Sequence, residues 1–324
     1  MTKSLKTFLE SLLFLLLIAF AIVLSTSKNF SAAVLEGINL WVACVLPALF
    51  PYFFITAILS SLSVTGKISN ALTPLTTRLF NVSGAVEYAL FISLISGYPT
   101  GAKTVADLKE NGIITETESV RAAALCSSSS PMFTIGSVGN LMFNSSLFGA
   151  LLLFSHFLAV ITTGIIFSFY KRKDRPQKTP RLYALKKLDN LLYESTFSAV
   201  ISILIVGGLI TVFYLLTEVL LSFNLLNPLI NFFNLIFKDQ TIAKGLTLGI
   251  FEYTRGLKIL SQGGISAISL SISAFLISLS GLSIMAQSIA YLKKAKIKTA
   301  PFLLSKALSA VLSALFGFIF SLFL

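Results

Sequence analysis

Two short segments of this sequence interrupt apolar runs with glycine, proline or ionisable residues. The first, Gly97-Tyr98-Pro99-Thr100-Gly101, follows the apolar run Ala85–Ser96 and leads into a polar stretch that carries Lys103 and Asp107. Glycine and proline at this spacing break a helix and leave backbone groups that protein, water or a ligand must satisfy. The amides that open the next helix suit an anionic or hydroxyl-rich group. Because Lys103 and Asp107 are four positions apart, they share a helix face and can pair.

The second segment, Glu252-Tyr253-Thr254-Arg255-Gly256-Leu257-Lys258, lies in an otherwise apolar region. Ionisable residues at membrane depth are costly and tend to line a cavity or to pair, and Glu252 with Arg255, three positions apart, forms the expected pair. The first segment alone also fits an ordinary loop at the membrane surface, with Lys103 and Asp107 in water. The matching second segment favours a functional break.

Serine-rich segments mark two further breaks. Cys126-Ser127-Ser128-Ser129-Ser130-Pro131 offers four hydroxyls that can recap freed carbonyls or bind a solute. The corresponding region later in the chain is Ser280-Gly281-Leu282-Ser283-Ile284-Met285-Ala286-Gln287. Gln287 is a candidate ligand for a polar substrate, although a hydrogen bond between helices is the commoner fate of such a residue.

These segments supply the predicted substrate-binding residues. They are Tyr98, Gly101, Lys103, Ser127, Ser128, Ser129, Ser130, Glu252, Arg255, Lys258, Ser283 and Gln287. Outside them, we expect His156 to hydrogen-bond to a neighbour rather than relay protons, and Lys306 to extend its amine to the membrane interface.

Recognisable catalytic and metal-binding motifs are lacking. The sequence contains no Walker A motif, no HExxH or GxSxG, and no nucleophile with its base. Cys44 and Cys126 have no CxxC or Cys/His spacing and are expected to be packing residues. We therefore predict no enzyme activity, no cofactor, no metal site and no ATP hydrolysis.

The elements that must position these residues are membrane helices. The 324 residues are 55% hydrophobic and only 12% charged, more apolar surface than a soluble core of this size can bury. Apolar stretches long enough to cross a bilayer recur, and several such spans must be helices because lipid does not tolerate unpaired backbone. They are Phe8–Leu24, Ile38–Leu62, Leu147–Tyr170, Phe197–Leu216 and Phe302–Leu324.

The distribution of charged residues also indicates a membrane protein. The net charge of +12 lies in short basic clusters between apolar spans, as the positive-inside rule expects, and this pattern argues against nucleic-acid binding. Lys3 and Lys6 before the first apolar run also fit a cleaved signal peptide, but the run is long for that purpose and favours an uncleaved span. The chain is expected in the cell membrane as a multi-pass protein in contact with lipid.

A repeat organises the chain around the basic linker Lys171–Lys187, which is expected to be cytoplasmic. Adding 155 to a position in the first half lands on related residues in the second, as for Tyr98 with Tyr253 and Lys103 with Lys258. We divide the chain into an N-terminal membrane helix at 1–30, repeats at 31–170 and 188–324, and the linker at 171–187.

The basic clusters indicate that the two repeats are inverted. Lys67 and Arg78 correspond to a stretch without basic residues, and the cluster Lys293–Lys298 corresponds to Val138–Phe143, which also has none. A consistent path places the N-terminus in the cytoplasm and the C-terminus outside. It uses about seven full spans, with Ala122–Phe143 as one crossing and the segments around Tyr98 and Tyr253 as re-entrant pieces.

Four motifs resemble those of a known family. They are Leu46–Phe53, Ser96–Lys103, Ser130–Gly136 and Gly281–Gln287. Together they are similar to the YlbJ-type sporulation integral membrane proteins, which contain the nucleoside-recognition Gate domain, and the likeness covers nearly the whole chain. The resemblance implies an all-α cytoplasmic-membrane protein with two Gate-type repeats and a role in spore cortex formation.

The sequence therefore predicts an integral membrane transporter or permease for a small polar solute, nucleoside-like or anionic. The alternative is a non-transporting scaffold that recruits partners for sporulation, with the linker as its working surface. The sequence leaves open whether H⁺ or Na⁺ is a coupling ion and whether the chain forms a homo-oligomer.

Overall fold

A computed structural model describes residues 28–61, 76–176 and 190–324, with a few isolated positions before residue 28. These residues are helical and contain no strand, as expected of an all-α membrane protein. The predicted span Phe8–Leu24, Lys67, and positions 177–187 of the linker lie outside the described residues.

Five helical stretches in the described part of the chain are long and apolar enough to cross a membrane. They are Phe30–Leu59, Ser146–Phe167, Leu191–Ser222, Ala267–Lys294 and Thr299–Phe323. Four of them coincide with predicted spans, which confirms a polytopic helical membrane protein. Leu204, Phe154 and Leu304 are examples of large apolar side chains that remain exposed on these helices, as lipid-facing residues do.

Six α-helices and two π-helical segments, Trp41–Val45 and Met132–Met142, have both ends within the described part of the first half. The α-helices are α1 Lys28–Leu40, α2 Leu46–Ser61, α3 Gly84–Ser96, α4 Thr100–Glu110, α5 Glu116–Leu125 and α6 Ser146–Phe167. The predicted crossing Ala122–Phe143 differs, because the helix stops at Leu125 and backbone resumes as the π-helix after the serine segment. Four serines followed by Pro131 favour side-chain capping over a continuous helix.

The second half contains seven α-helices and ends in the 3₁₀ turn Ser321–Phe323. They are α7 Leu191–Ser222, α8 Asn227–Phe237, α9 Gln240–Phe251, α10 Tyr253–Gln262, α11 Ala267–Leu279, α12 Gly281–Lys294 and α13 Thr299–Phe320. Shifting α3, α4, α5 and α6 by 155 positions brings their ends to within a few residues of those of α9, α10, α11 and α13. This correspondence supports the proposed repeat, and the inverted relation of its copies stays a prediction.

The helices of the two halves pack against each other. Helix α13 packs along α11 and α6, while α7 packs along α1 and α2. The short helices pair as two hairpins, α3 with α4 and α9 with α10. The second hairpin closes tightly because Gly256 faces Gly249, whose Cα would lie 2.3 Å from a Cβ at Gly256.

A buried arginine closes the C-terminal end of α6. Arg121 is 2% exposed, and its guanidinium donates to the carbonyls of Tyr170, Lys171, Asn81 and Asp174 at 2.6 to 3.0 Å. Tyr170, Lys171 and Asp174 lie in the turns that follow α6, and Asn81 lies just before α3. Buried backbone carbonyls require hydrogen-bond donors. The arginine therefore satisfies these carbonyls and fixes the start of the basic linker.

Candidate functional site

The first break separates α3 from α4. Gly97 has φ 75°, the Tyr98–Pro99 peptide bond is cis, and α4 begins at Thr100. The Tyr98 side chain is buried, and its hydroxyl donates to the Ile277 carbonyl at 3.2 Å. Tyr98 thus links the first break to the end of α11 in the second half.

Lys306 is the second partner of Tyr98. Its Nζ donates to the Tyr98 hydroxyl at 2.9 Å and lies 4.2 Å from the centre of that ring. The side chain is 2% exposed, so the expectation that it extends to the interface is wrong. Within the described residues no carboxylate lies within 4 Å of its amine. The tyrosine oxygen and ring therefore supply the closest favourable contacts of this amine.

The serine break is closed by hydrogen bonds within the protein. The Ser129 amide donates to His156 Nε2 at 2.8 Å, and Ser128 Oγ lies 3.2 Å from the same atom. Because Nε2 accepts from an amide, the ring proton is assigned to Nδ1, which lies 2.6 Å from Ser278 Oγ. The expected hydrogen bonding of His156 to its neighbours is confirmed.

The other members of this segment have similar local roles. Ser130 Oγ accepts from the Phe133 amide at 3.2 Å, and the Ser128 amide donates to Ser93 Oγ at 3.2 Å. Ser127 is also buried. The sequence allows these serines either to cap freed backbone groups or to bind a solute. The observed contacts are of the capping kind.

The third break lies between α9 and α10 and is formed by Glu252. Its Oε2 accepts from the Arg255 amide at 2.6 Å, so this side chain caps the N-terminus of α10. The expected ion pair between Glu252 and Arg255 is wrong, because the Arg255 guanidinium turns to Glu218 at 2.7 Å. It also donates to Thr217 Oγ1 and lies 3.8 Å from the centre of the Tyr214 ring.

The fourth break separates α11 from α12. Ser280 has φ 71° and Gly281 has φ 64°, so the chain changes direction between the two helices. Ser283 and Gln287 then lie on successive turns of α12, and Gln287 Nε2 donates to the Ser283 carbonyl at 3.2 Å. This bond leaves the Gln287 amide oxygen free for another donor.

A small cavity lies where three of the breaks meet. Its volume is about 20 Å³, and its polar wall comes from Tyr98 and Pro99, Glu252 to Thr254, and Ser283 with Gln287. The apolar wall consists of Val45, Val206, Leu209, Ile210 and Ile284. Space of this size holds about one water molecule. Both halves of the chain therefore contribute to one small, partly polar chamber.

The structure brings together four of the predicted substrate-binding residues and separates the rest. Tyr98, Glu252, Ser283 and Gln287 line the cavity. The others lie elsewhere: Gly101, Lys103, Ser127, Ser128, Ser129, Ser130, Arg255 and Lys258. Lys103 and Lys258 are exposed, and Lys103 forms no ion pair with Asp107, another described residue.

Sequence reasoning missed Thr254, which lines the cavity beside Glu252. It also missed Glu218 as the partner of Arg255, and Lys306 as the partner of Tyr98. A lysine in the middle of an apolar span was the available signal for Lys306. Among the described residues no group of three or more His, Cys, Asp or Glu side chains could hold a metal ion.

Comparison with known proteins agrees with the resemblance seen in the motifs. Residues 42–171 match the model of the Gate family, described as nucleoside recognition. Over 305 residues the chain is 29% identical to the sporulation integral membrane protein YlbJ of Bacillus subtilis (strain 168), covering 86% of this chain and 74% of the relative. No solved structure matches the chain. The chain is therefore a multi-pass membrane protein whose residues 42–171 match the Gate nucleoside-recognition model and which is similar to YlbJ over most of its length.

Proposed function

We propose that this protein is a transporter or permease that moves a small polar solute across the cell membrane without hydrolysing ATP. The observation that carries the proposal is the cavity, because helix breaks from both halves meet there. Secondary transporters place their substrate sites where broken helices of two repeats face each other. The wall combines apolar residues with a few hydroxyl, carboxyl and amide groups, as small-molecule sites do.

Transport requires this chamber to open. A volume of about 20 Å³ is too small for any solute larger than water. Rocking of one half against the other would open the cavity to each side of the membrane in turn. In this proposal the N-terminus lies in the cytoplasm, the C-terminus lies outside, and the repeats at 31–170 and 188–324 are inverted.

The comparisons suggest the biological setting. The description of the Gate family favours a nucleoside-like solute, and the amides that open α4 also suit an anionic group. The similarity to a sporulation membrane protein supports a role for this transport in spore formation, and the family resemblance implies a role in making the cortex.

Solute uptake into proteoliposomes that hold the purified protein tests the proposal. We expect saturable uptake of at least one solute in a screen of nucleosides and other small polar metabolites. Gln287→Leu keeps the side-chain size but removes the amide from the cavity wall. Losing one hydrogen bond to the solute would lower uptake by roughly 10-fold or more.

Gln262→Leu is the matched control, because the same change is made at an exposed position at the end of α10. Uptake by this variant should equal that of the wild type. No flux of any solute through folded wild-type protein would contradict the proposal. That result would favour a scaffold that works through the linker, whose residues Lys171–Arg175 are exposed.

A further inference from the structure

Two residues that line the cavity each carry a buried oxygen that has no hydrogen-bond partner among the described residues. The oxygens are Glu252 Oε1 and Thr254 Oγ1, and both side chains are fully buried. The other carboxylate oxygen of Glu252 is already used by the Arg255 amide. The Thr254 hydroxyl lies close to the carboxylate, yet the two do not reach hydrogen-bonding geometry. Neither oxygen therefore has an assigned hydrogen bond in the part of the chain that the structure describes.

Within the described residues the Glu252 carboxylate also forms no salt bridge. Arg255 is the nearest cation in sequence, but its guanidinium pairs with Glu218 at 2.7 Å and stacks on Tyr214. Lys258, on the next turn of α10, is exposed. An ionised carboxylate buried without a compensating charge costs several kcal/mol, and a neutral water molecule does not remove this cost.

We propose that Glu252 Oε1 and Thr254 Oγ1 are ligands of a sodium ion held in this cavity. Oxygen atoms are the ligands that hard cations take in proteins. One carboxylate balances one positive charge, whereas calcium sites gather several carboxylate and carbonyl oxygens. Ser283 and Gln287 contribute further oxygens to the same wall, and the cavity volume suits a single small ion.

The role of this sodium ion rests on the proposed function, because an ion bound beside a solute site can couple solute movement to the sodium gradient. The same break would then serve both, with the ion at Glu252 and Thr254 and the solute nearer Tyr98 and Gln287. Sodium binding itself requires no solute, so it can be measured without any assay of transport.

Thermal unfolding of the purified full-length protein in detergent provides the test. Sodium chloride is titrated against choline chloride at constant ionic strength, so that only the cation changes. We expect a saturable rise in Tm with sodium, because a ligand of the folded state stabilises it. Glu252→Gln should abolish this rise, and Thr254→Val should shift it to roughly 10-fold higher sodium.

Glu110→Gln is the matched control. It removes the same charge at the surface, where Glu110 lies 3.7 Å from Lys294, and its response to sodium should equal that of the wild type. Equal Tm values in sodium and choline, or a sodium response retained by Glu252→Gln, would overturn the proposal. A Tm that depends on pH but not on sodium would also overturn it, since Glu252 would then hold a proton. If Glu252→Gln does not fold, the sodium dependence of the Tm of Thr254→Val tests the proposal by itself.

The two proposals fail separately. A sodium response without flux of any solute would support the ion site and contradict the proposed transport function. Solute flux without a sodium response would support the transport function and contradict the ion site.

Discussion

Gly101→Ala is expected to prevent the first hairpin from docking on the serine break. A Cβ at this position would lie 1.9 Å from the Cys126 carbonyl oxygen and 2.6 Å from Ser93 Oγ. The closest atom belongs to the backbone, so no side-chain rotation can relieve the overlap. Forced overpacking of this kind costs about 3 kcal/mol. We expect a clear fall in Tm and in the yield of monodisperse protein.

Gly208→Ala is the matched control for this prediction. Gly208 lies in the long helix α7, and a Cβ there would meet no atom within 4 Å. Replacing glycine by alanine in a helix should leave stability unchanged or raise it by about 0.5–1 kcal/mol. A Tm for Gly101→Ala equal to that of Gly208→Ala would contradict the packing seen at the first hairpin.

Arg121→Met is expected to be equally damaging for a different reason. The substitution keeps an unbranched side chain but removes the guanidinium donors to the carbonyls of Tyr170, Lys171, Asn81 and Asp174. A buried carbonyl left without a donor costs about 1–3 kcal/mol, so we expect the loss of several such bonds to cost about 3–5 kcal/mol in total. The free energy of unfolding, measured in denaturant, should fall by that amount, and the end of α6 should become sensitive to protease.

Arg172→Met serves as its control. The Arg172 guanidinium lies 4.8 Å from the centre of the exposed Phe169 ring, a contact worth about 0.5–1 kcal/mol. Equal losses for the two arginine variants would mean that charge in this loop, rather than the bonds to the carbonyls, stabilises the protein.

Local chemistry explains why much of the fold could be predicted. Lipid demands long apolar helices, so the spans around Leu147–Tyr170 and Phe302–Leu324 follow from composition alone. Glycine and proline mark the break at Tyr98 in the same direct way. The serine break was harder to recognise, because Ala122–Phe143 is apolar enough to be interpreted as one crossing.

Partners of the site residues could not be predicted, because they come from distant parts of the chain. Helical spacing predicts an ion pair between Glu252 and Arg255. In the structure the Glu252 carboxylate caps α10 instead, and the Arg255 guanidinium pairs with Glu218 of α7. Likewise, Lys306 meets Tyr98 over more than 200 positions of sequence. Thr254 carries no distinctive signal in sequence, and only its burial without a partner draws attention to it.

Transport requires the cavity to open to both sides of the membrane. Thiol labelling tests this opening and requires no knowledge of the solute. Cys44 and Cys126 are the only cysteines, so Cys44→Ala and Cys126→Ala give a cysteine-free background. Ser283→Cys then places one thiol on the cavity wall, and Ser130→Cys places one at an equally buried position outside it. A membrane-impermeant maleimide is applied to right-side-out and to inside-out vesicles.

Alternating access predicts that the Ser283→Cys variant is modified from both faces, while Ser130→Cys reacts slowly from either. Modification of Ser283→Cys from one face only, or from neither, would contradict a pathway through this cavity.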